Sequence, residues 1–379
     1  MTGLAALVDE QCASGATPGV VAVLARGDDV EVATGGEATI GGAPMRRDSL
    51  FRLASLTKPI LAAATMVLVE RGRFDLDEPV RRWLPELAEP MVLRSLDGPL
   101  DDTVPAVRPI TIRHLLTFQA GHGFPSDFSA PIVARLTEEL HQGPPNPAAV
   151  PPPDEWMRRL AETPLLHQPG DGWTYNTGAD ILGVLLARVE ETSLDVVLSD
   201  TVLGPLGMTD SGFAVPAGEL HRMTSLYRRD GDGAVLTLID PPDGQWAETP
   251  VFLSGAAGLV STADDLLAFG RMLLAGGRHG NGRVLSAESV RLMTTSHVES
   301  AADDPFLQGQ GWGFGGSVDL HPSEPWNVPG RYGWIGGTGT AGYVIPATGT
   351  VAIRLSQLEM SGPTDFDAIG AFLTLAAQR

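Results

Sequence analysis

Lys58 is the only lysine in the 379-residue chain; every other basic residue among the 26 Lys and Arg is an arginine. Where a positive charge merely solvates a surface the two types exchange freely. Arginine, however, cannot release its proton near neutral pH, whereas a buried lysine amine can be pushed toward neutrality and act as a base. Ser55 stands three residues ahead of it in FRLASLTKPI, just before the apolar run from Ile60 to Glu70, which reads as a helix that Ser55 opens. At i and i+3 the two side chains share one helix face. A serine hydroxyl is a poor nucleophile until a base takes its proton, and a helix amino terminus brings backbone donors toward a reacting carbonyl. One turn thus supplies nucleophile and base, the pair needed to attack an ester or amide carbonyl.

Alone, S-x-x-K is a weak signal, because a serine at a helix start ordinarily caps it. Two further segments strengthen it. In PGDGWTYNTGADILGVLL, Tyr175 falls in a turn directly before a helix, where its hydroxyl shares proton transfer with Lys58 as general base and acid. In YGWIGGTGTAGYVIP, the run Gly336, Gly337, Thr338, Gly339 and Thr340 reads as an edge strand along which a substrate lies close to backbone. The N–H groups of Ser55 and Thr340 are the expected oxyanion hole. Gly337, Gly339 and Gly342 also fit G-x-G-x-x-G, but a hairpin follows where a helix is required, which excludes dinucleotide binding. The chain has no G-x-S-x-G elbow, Walker loop or H-E-x-x-H helix. Its eight histidines are scattered, and His114 in TIRHLL is expected to be structural. Neither a metal nor an organic cofactor is expected.

The elements that must hold these residues follow from periodicity. GVVAVLARGDDVEVATGGEA reads as a hairpin of sheet strands, and GYVIPATGTVAIRLSQ gives two more β-rich runs before an apolar helix over 366–377. Both ends therefore share one antiparallel sheet. Helical spacing recurs over 56–71, 111–118, 179–191 and 263–275. The expected fold is α/β (α+β): an antiparallel sheet flanked by helices, from 1–50 and 251–379, and a mainly helical lobe over 51–250. Residues 122–153, including QGPPNPAAVPPPDEW, are too proline-rich for regular helix or central strand and read as a surface loop or lid over a cleft.

Composition narrows the classes further. With 43% apolar residues the chain can bury a full core, and its length suits two lobes because single cores stop growing at roughly 250 to 300 residues. A net charge of −20 argues against nucleic acid or an anionic membrane as partner, since both need a basic patch. Cys12 is the only cysteine, so neither an intrachain disulfide nor a Cys-based zinc site can form. MTGLAALVDEQCASG lacks a basic start and a continuous apolar run, so it reads as an amphipathic helix and the expected location is cytoplasmic. No run approaches the ~20 apolar residues of a membrane span.

Taken in order, these segments resemble the serine β-lactamase and penicillin-binding-protein-like superfamily, in the branch of class C β-lactamases, D-aminopeptidases and family VIII carboxylesterases. The likeness is nearly chain-long, running through TPGVVAVL, LFRLASLTKPI to GRFDLDEPVRRWLPE, ITIRHLLTFQAG, PGDGWTYNTGADILG, GPLGMTDSGF, SGAAGLVSTADDLLAFGRML and GWIGGTGTAGYVIP. It implies one β-lactamase/transpeptidase-like domain with Ser55 as acylated nucleophile, Lys58 as its base, Tyr175 as second proton-transfer group and the Thr340 N–H as oxyanion donor. Two departures stand out. The Y-x-N motif reads Tyr175-Asn176-Thr177, so Thr177 replaces the asparagine that orients the lysine. The K-T-G motif reads Gly337-Thr338-Gly339, so the cation that binds a substrate carboxylate is missing, with Arg331 a candidate to replace it. Trp334 with Gly336 and Gly337 resembles the strand of the esterase branch. The resemblance thus implies a carboxylesterase acting on small or medium acyl esters, with weak β-lactam hydrolysis, whose substrate touches Thr177, Trp334, Gly337, Thr338 and Gly339. Its partner is a small-molecule ester or amide; no oligomeric state follows. Alternatives are a D-amino-acid amidase or peptidase, a β-lactamase, an acyltransferase, and a catalytically silent binding protein of the same fold.

Overall fold

The computed structural model describes residues 3–231, 235–298 and 304–379. Its frame is a seven-stranded antiparallel sheet. The amino end supplies β1 (Gly19–Arg26) and β2 (Asp29–Gly36). The carboxyl end supplies β3 (Gly311–Trp312), β4 (Ser317–Val318), β5 (Tyr332–Gly336), β6 (Thr340–Ile345) and β7 (Thr350–Ser356). The order is β3-β4-β5-β6-β7-β1-β2, so β1 lies between β7 and β2, with Val23 opposite Ile353 on one side and Val32 on the other. This mixed α/β architecture is the fold class expected from the sequence.

Five helices bear on the site: α1 (Leu4–Ala13), α2 (Thr57–Glu70), α3 (Thr177–Glu190), α4 (Ala263–Leu274) and α5 (Asp367–Ala377). Helices α1 and α5 cover one face of the sheet and α4 the other. The unbroken apolar run of β1 follows from this sandwiching. Val20, Ala22 and Leu24 pack under α1 and α5, while Val21, Val23 and Ala25 join the core on the opposite face. Helix α2 is buried at every position from Thr57 to Leu68, as expected of a helix that is apolar all round. Pro59 is tolerated because it lies in the first turn, where its missing N–H has no intrahelical partner to lose. Burying α2 carries Lys58 into the interior.

Two expectations need correction. The glycine-rich run is not one edge strand: β5 ends at Gly336, residues 337–339 form a turn in which Gly339 takes φ +81°, and β6 begins at Thr340. Moreover β4 pairs only with Tyr332 and Gly333, so Trp334 to Gly336 have no strand on that side among the described residues. The open edge therefore lies three residues earlier than Gly337-Thr338-Gly339. Segment 122–153 is also more regular than its prolines suggest, because Pro131 sits at the first position of a helix, Pro131–Glu138, where proline is well tolerated.

Candidate active site

The chain reaches Ser55 along a short strand, Phe51–Arg52, paired with Val260–Ser261. The tip of the β5–β6 hairpin clamps this approach: Thr338 Oγ1 donates to the Arg52 carbonyl (2.6 Å) and Thr340 Oγ1 to the Leu53 carbonyl (2.9 Å). A Cβ on Gly336 would stand 2.2 Å from that Leu53 oxygen, so only glycine fits there. Ala54 then takes φ +47°, an uncommon conformation for a residue with a Cβ, and a 3-10 turn over Ala54–Leu56 leads into α2. Ser55 emerges on that bend, partly exposed, one turn from the fully buried Lys58.

Three groups meet on the Ser55 hydroxyl or one atom beyond it. Lys58 Nζ lies 2.8 Å from Ser55 Oγ, and also 2.8 Å from both Asn176 Oδ1 and the Ala256 carbonyl. The Tyr175 hydroxyl donates to Ser55 Oγ (2.9 Å) and accepts from the Trp334 indole N–H (2.6 Å). A neutral amine has two N–H donors and one lone pair. With the donors on Asn176 and Ala256, the lone pair is left to accept the Ser55 proton. Burial pushes the Lys58 amine from 10.5 down to about 7, opposed by the Asp180 carboxylate. Burial pushes the Tyr175 phenol up to about 12, opposed by its bonds to Ser55 and Trp334, so it stays protonated at neutral pH. Phe306 stacks on the Tyr175 ring at 4.3 Å and Phe118 and Trp312 meet it edge-on, which fixes its direction.

Asn176 performs the contact that the sequence led us to assign elsewhere. It sits at φ +84°, ψ −66°, and the Thr177 N–H bonds back to the Tyr175 carbonyl (3.3 Å), a strained γ-turn. That turn aims Asn176 at Lys58 and sends Thr177 inward, where it is fully buried and donates to Gln142 Oε1 (3.0 Å). Gln142, from the proline-rich segment, also accepts from Asn176 Nδ2 (2.8 Å) and donates to Asp180 (2.9 Å). Asp180 in turn accepts from the Ala256 N–H (3.0 Å), so both acceptors of Lys58 are held by one buried network. Sequence reasoning missed Asn176, Gln142 and Asp180. The Asn next to Tyr175 was the one available signal.

Above Ser55 lies a cleft of about 360 Å³. Its floor is Ala54, Ser55, Tyr175 and Asn176; one wall is Trp334, Ile335 and Gly337; the other is Phe124, Phe128, Val133 and Phe306, with Pro144 and Pro145 from the proline-rich segment. Thr338, Gly339 and Thr340 do not line it. Thr338 and Thr340 are fully buried behind the hairpin, and the Gly339 carbonyl accepts from Arg354 (2.8 Å). Thr340, which the sequence assigns to the oxyanion hole, thus lies outside the residues lining the cleft, and Gly337 is the hairpin-turn residue that lines it together with Ser55. Arg331 is no substitute for the missing cation. It is fully buried, its guanidinium pairs with Asp319 (3.1 Å), and it lies over the Tyr343 ring. His114 caps the helix Ile112–Leu116 through its side chain, the structural role expected of it. No group of three His, Cys, Asp or Glu able to hold a metal occurs among the described residues, and no helix there is long and apolar enough to cross a membrane.

An antiparallel sheet sandwiched by helices, with serine and lysine one turn apart and a tyrosine closing on the serine, defines a serine hydrolase of the penicillin-binding type. The family profile described as Beta-lactamase matches residues 4–376, and the chain belongs to that family. It is 41% identical over 328 residues to an uncharacterized protein of Mycobacterium tuberculosis, covering 83% of this chain and 79% of the other. It is 33% identical over 371 residues to the esterase EstB of Burkholderia gladioli, covering 91% and 88%. Among solved structures, EstCE1, described as a hydrolase with promiscuous acyltransferase activity, superposes with a TM-score of 0.80 at 26% identity, covering 98% of this chain and 97% of that one.

Proposed function

We propose that the protein is a carboxylesterase that cleaves neutral, largely apolar esters through an acyl-enzyme on Ser55. The observation that carries this reading is the double engagement of Ser55 Oγ, by Lys58 and by Tyr175, at the floor of an apolar cleft. Neutral Lys58 takes the Ser55 proton as Oγ attacks the carbonyl carbon. The backbone N–H groups of Ser55 and Gly337 hold the oxyanion. Tyr175 hands its proton to the departing alkoxide, and the proton on Lys58 restores the pair to neutrality. Water then attacks the acyl ester by the same route in reverse. Trp334 acts through Tyr175, and Asn176 through Lys58.

The named esterases among the relatives support an ester substrate, and the lack of a cation among the described residues lining the cleft argues against carboxylate-bearing β-lactams as preferred substrates. The apolar walls also favour an alcohol over water as acceptor, in line with the acyltransferase activity named for EstCE1.

The test pairs the protein with its Ser55→Ala variant on p-nitrophenyl butyrate and a chromogenic cephalosporin, following colour and intact mass. Ester turnover with a transient acyl adduct, both lost in the variant, is the expected result. Equal ester rates in the two proteins would remove Ser55 from the mechanism, and faster cephalosporin than ester turnover would make the protein a β-lactamase.

A further inference from the structure

Among the described residues lining the cleft, Glu359 is the one that is Asp, Glu, His, Lys or Arg. It sits just after β7 and is held beside the hairpin tip. The Met360 N–H donates to the Gly337 carbonyl (2.8 Å), and the Glu359 N–H to the Tyr227 carbonyl (2.8 Å). Its side chain is 5% exposed and one oxygen accepts from Arg228 Nε (2.6 Å), whose own side chain is 52% exposed and so lies toward bulk water. Among the described residues lining the cleft, no cation offsets it. Lys58 is 1% exposed beneath Ser55, Arg331 is consumed by Asp319, and Arg354 is 2% exposed and tied to Gly339 and Gln11.

We propose that Glu359 sets the charge preference of this cleft, turning away esters that carry a carboxylate and admitting neutral or ammonium-bearing ones. A fixed negative charge in a water-poor cleft acts on a substrate charge several ångströms away more strongly than it would in bulk water. Arg228 reduces this field without cancelling it, because its half-exposed side chain is screened by water and meets the carboxylate through one Nε contact. The inference rests on the reading of the cleft as the ester site.

Three matched p-nitrophenyl esters test it: the butyrate, the hemisuccinate and the 4-(trimethylammonio)butyrate. The readout is the ratio of kcat/KM for the anionic ester to that for the neutral one. In Glu359→Gln this ratio rises about ten-fold, the effect of one charge at short range across partly solvated protein. In Arg228→Gln, which leaves the carboxylate without its partner, the ratio falls and the cationic ester gains. Opposite movements in the two variants cannot come from a general loosening of the site. A ratio unchanged within two-fold in both variants overturns the proposal. Wild-type protein that turns over none of the three esters overturns the ester reading, and this proposal falls with it.

Discussion

The depressed Lys58 amine makes the pH dependence of acylation the sharpest consequence of the site. With a free-enzyme value of about 7, the neutral fraction of Lys58 is about one-tenth at about pH 6 and about nine-tenths at about pH 8. The kcat/KM for p-nitrophenyl butyrate therefore climbs about ten-fold between those limits and then levels, since kcat/KM reports the free enzyme. An amine left at 10.5 would be neutral in only about 0.03% of molecules at pH 7, so burial raises the supply of base by about three orders of magnitude. Lys58→Arg separates charge from basicity: arginine offers donors to Asn176 Oδ1 and the Ala256 carbonyl but cannot take the serine proton. We expect this variant to lose about a thousand-fold in kcat/KM, within the range assigned to general-base catalysis. Stopped-flow release of p-nitrophenol, read at its isosbestic wavelength, measures both effects. A flat profile across this range, or a Lys58→Arg variant within ten-fold of wild type, would refute the assignment of Lys58 as the base.

Other consequences follow from the same geometry. Because the folded amine titrates below its unfolded value of 10.5, the folded state binds fewer protons between about 7 and 10.5, and stability rises with pH across that window. Lys58→Met lacks this dependence, so urea titrations should show its stability relative to wild type falling as pH is raised, by up to about 5 kcal/mol; a constant difference would contradict the buried amine. Gly337 has nothing within 4 Å of where a Cβ would stand, so Gly337→Lys should be accommodated, and the added cation should lower KM for a cephalosporin about ten-fold; an unchanged KM would show that position 337 does not face a bound carboxylate. Trp334→Phe removes the indole donor on Tyr175 and should lower kcat about ten-fold with little change in KM; a wild-type kcat would deny Trp334 any part in proton transfer.

What the sequence made legible was whatever a local pattern carries. Serine and lysine at i and i+3 lie in one turn, and β1 and β2 read as a hairpin of sheet strands from their β-branched runs and the Gly-Asp turn between them. Tyr175 was visible as an aromatic with a hydroxyl at a helix entrance. The register of the glycine-rich hairpin was not, because Trp334-Ile335-Gly336 and Gly337-Thr338-Gly339 compete for the same place. Only the pairing of Gly336 with Thr340 decides which triplet faces substrate. The exchange of Thr177 for Asn176 was hidden for a related reason. It depends on a positive φ that no side-chain pattern announces, and that conformation persists because Gln142 and Lys58 hold the Asn176 amide from both ends. Gln142 and Asp180 are 34 and 38 residues from their partners, and Arg331 meets Asp319 only through the fold. Long-range pairs of this kind leave no spacing to read.

A chain with one lysine, sequestered inside the fold, presents no lysine amine to the solution around it. For a protein that handles activated acyl groups this has a chemical benefit, since acyl donors diffusing from the cleft meet no lysine on its own exterior to form amides with. The same property makes the native protein a clean substrate for amine-directed coupling. A reagent such as an N-hydroxysuccinimide ester finds no lysine amine to modify while α2 stays packed, and an amide formed at Lys58 records the moment that helix opens.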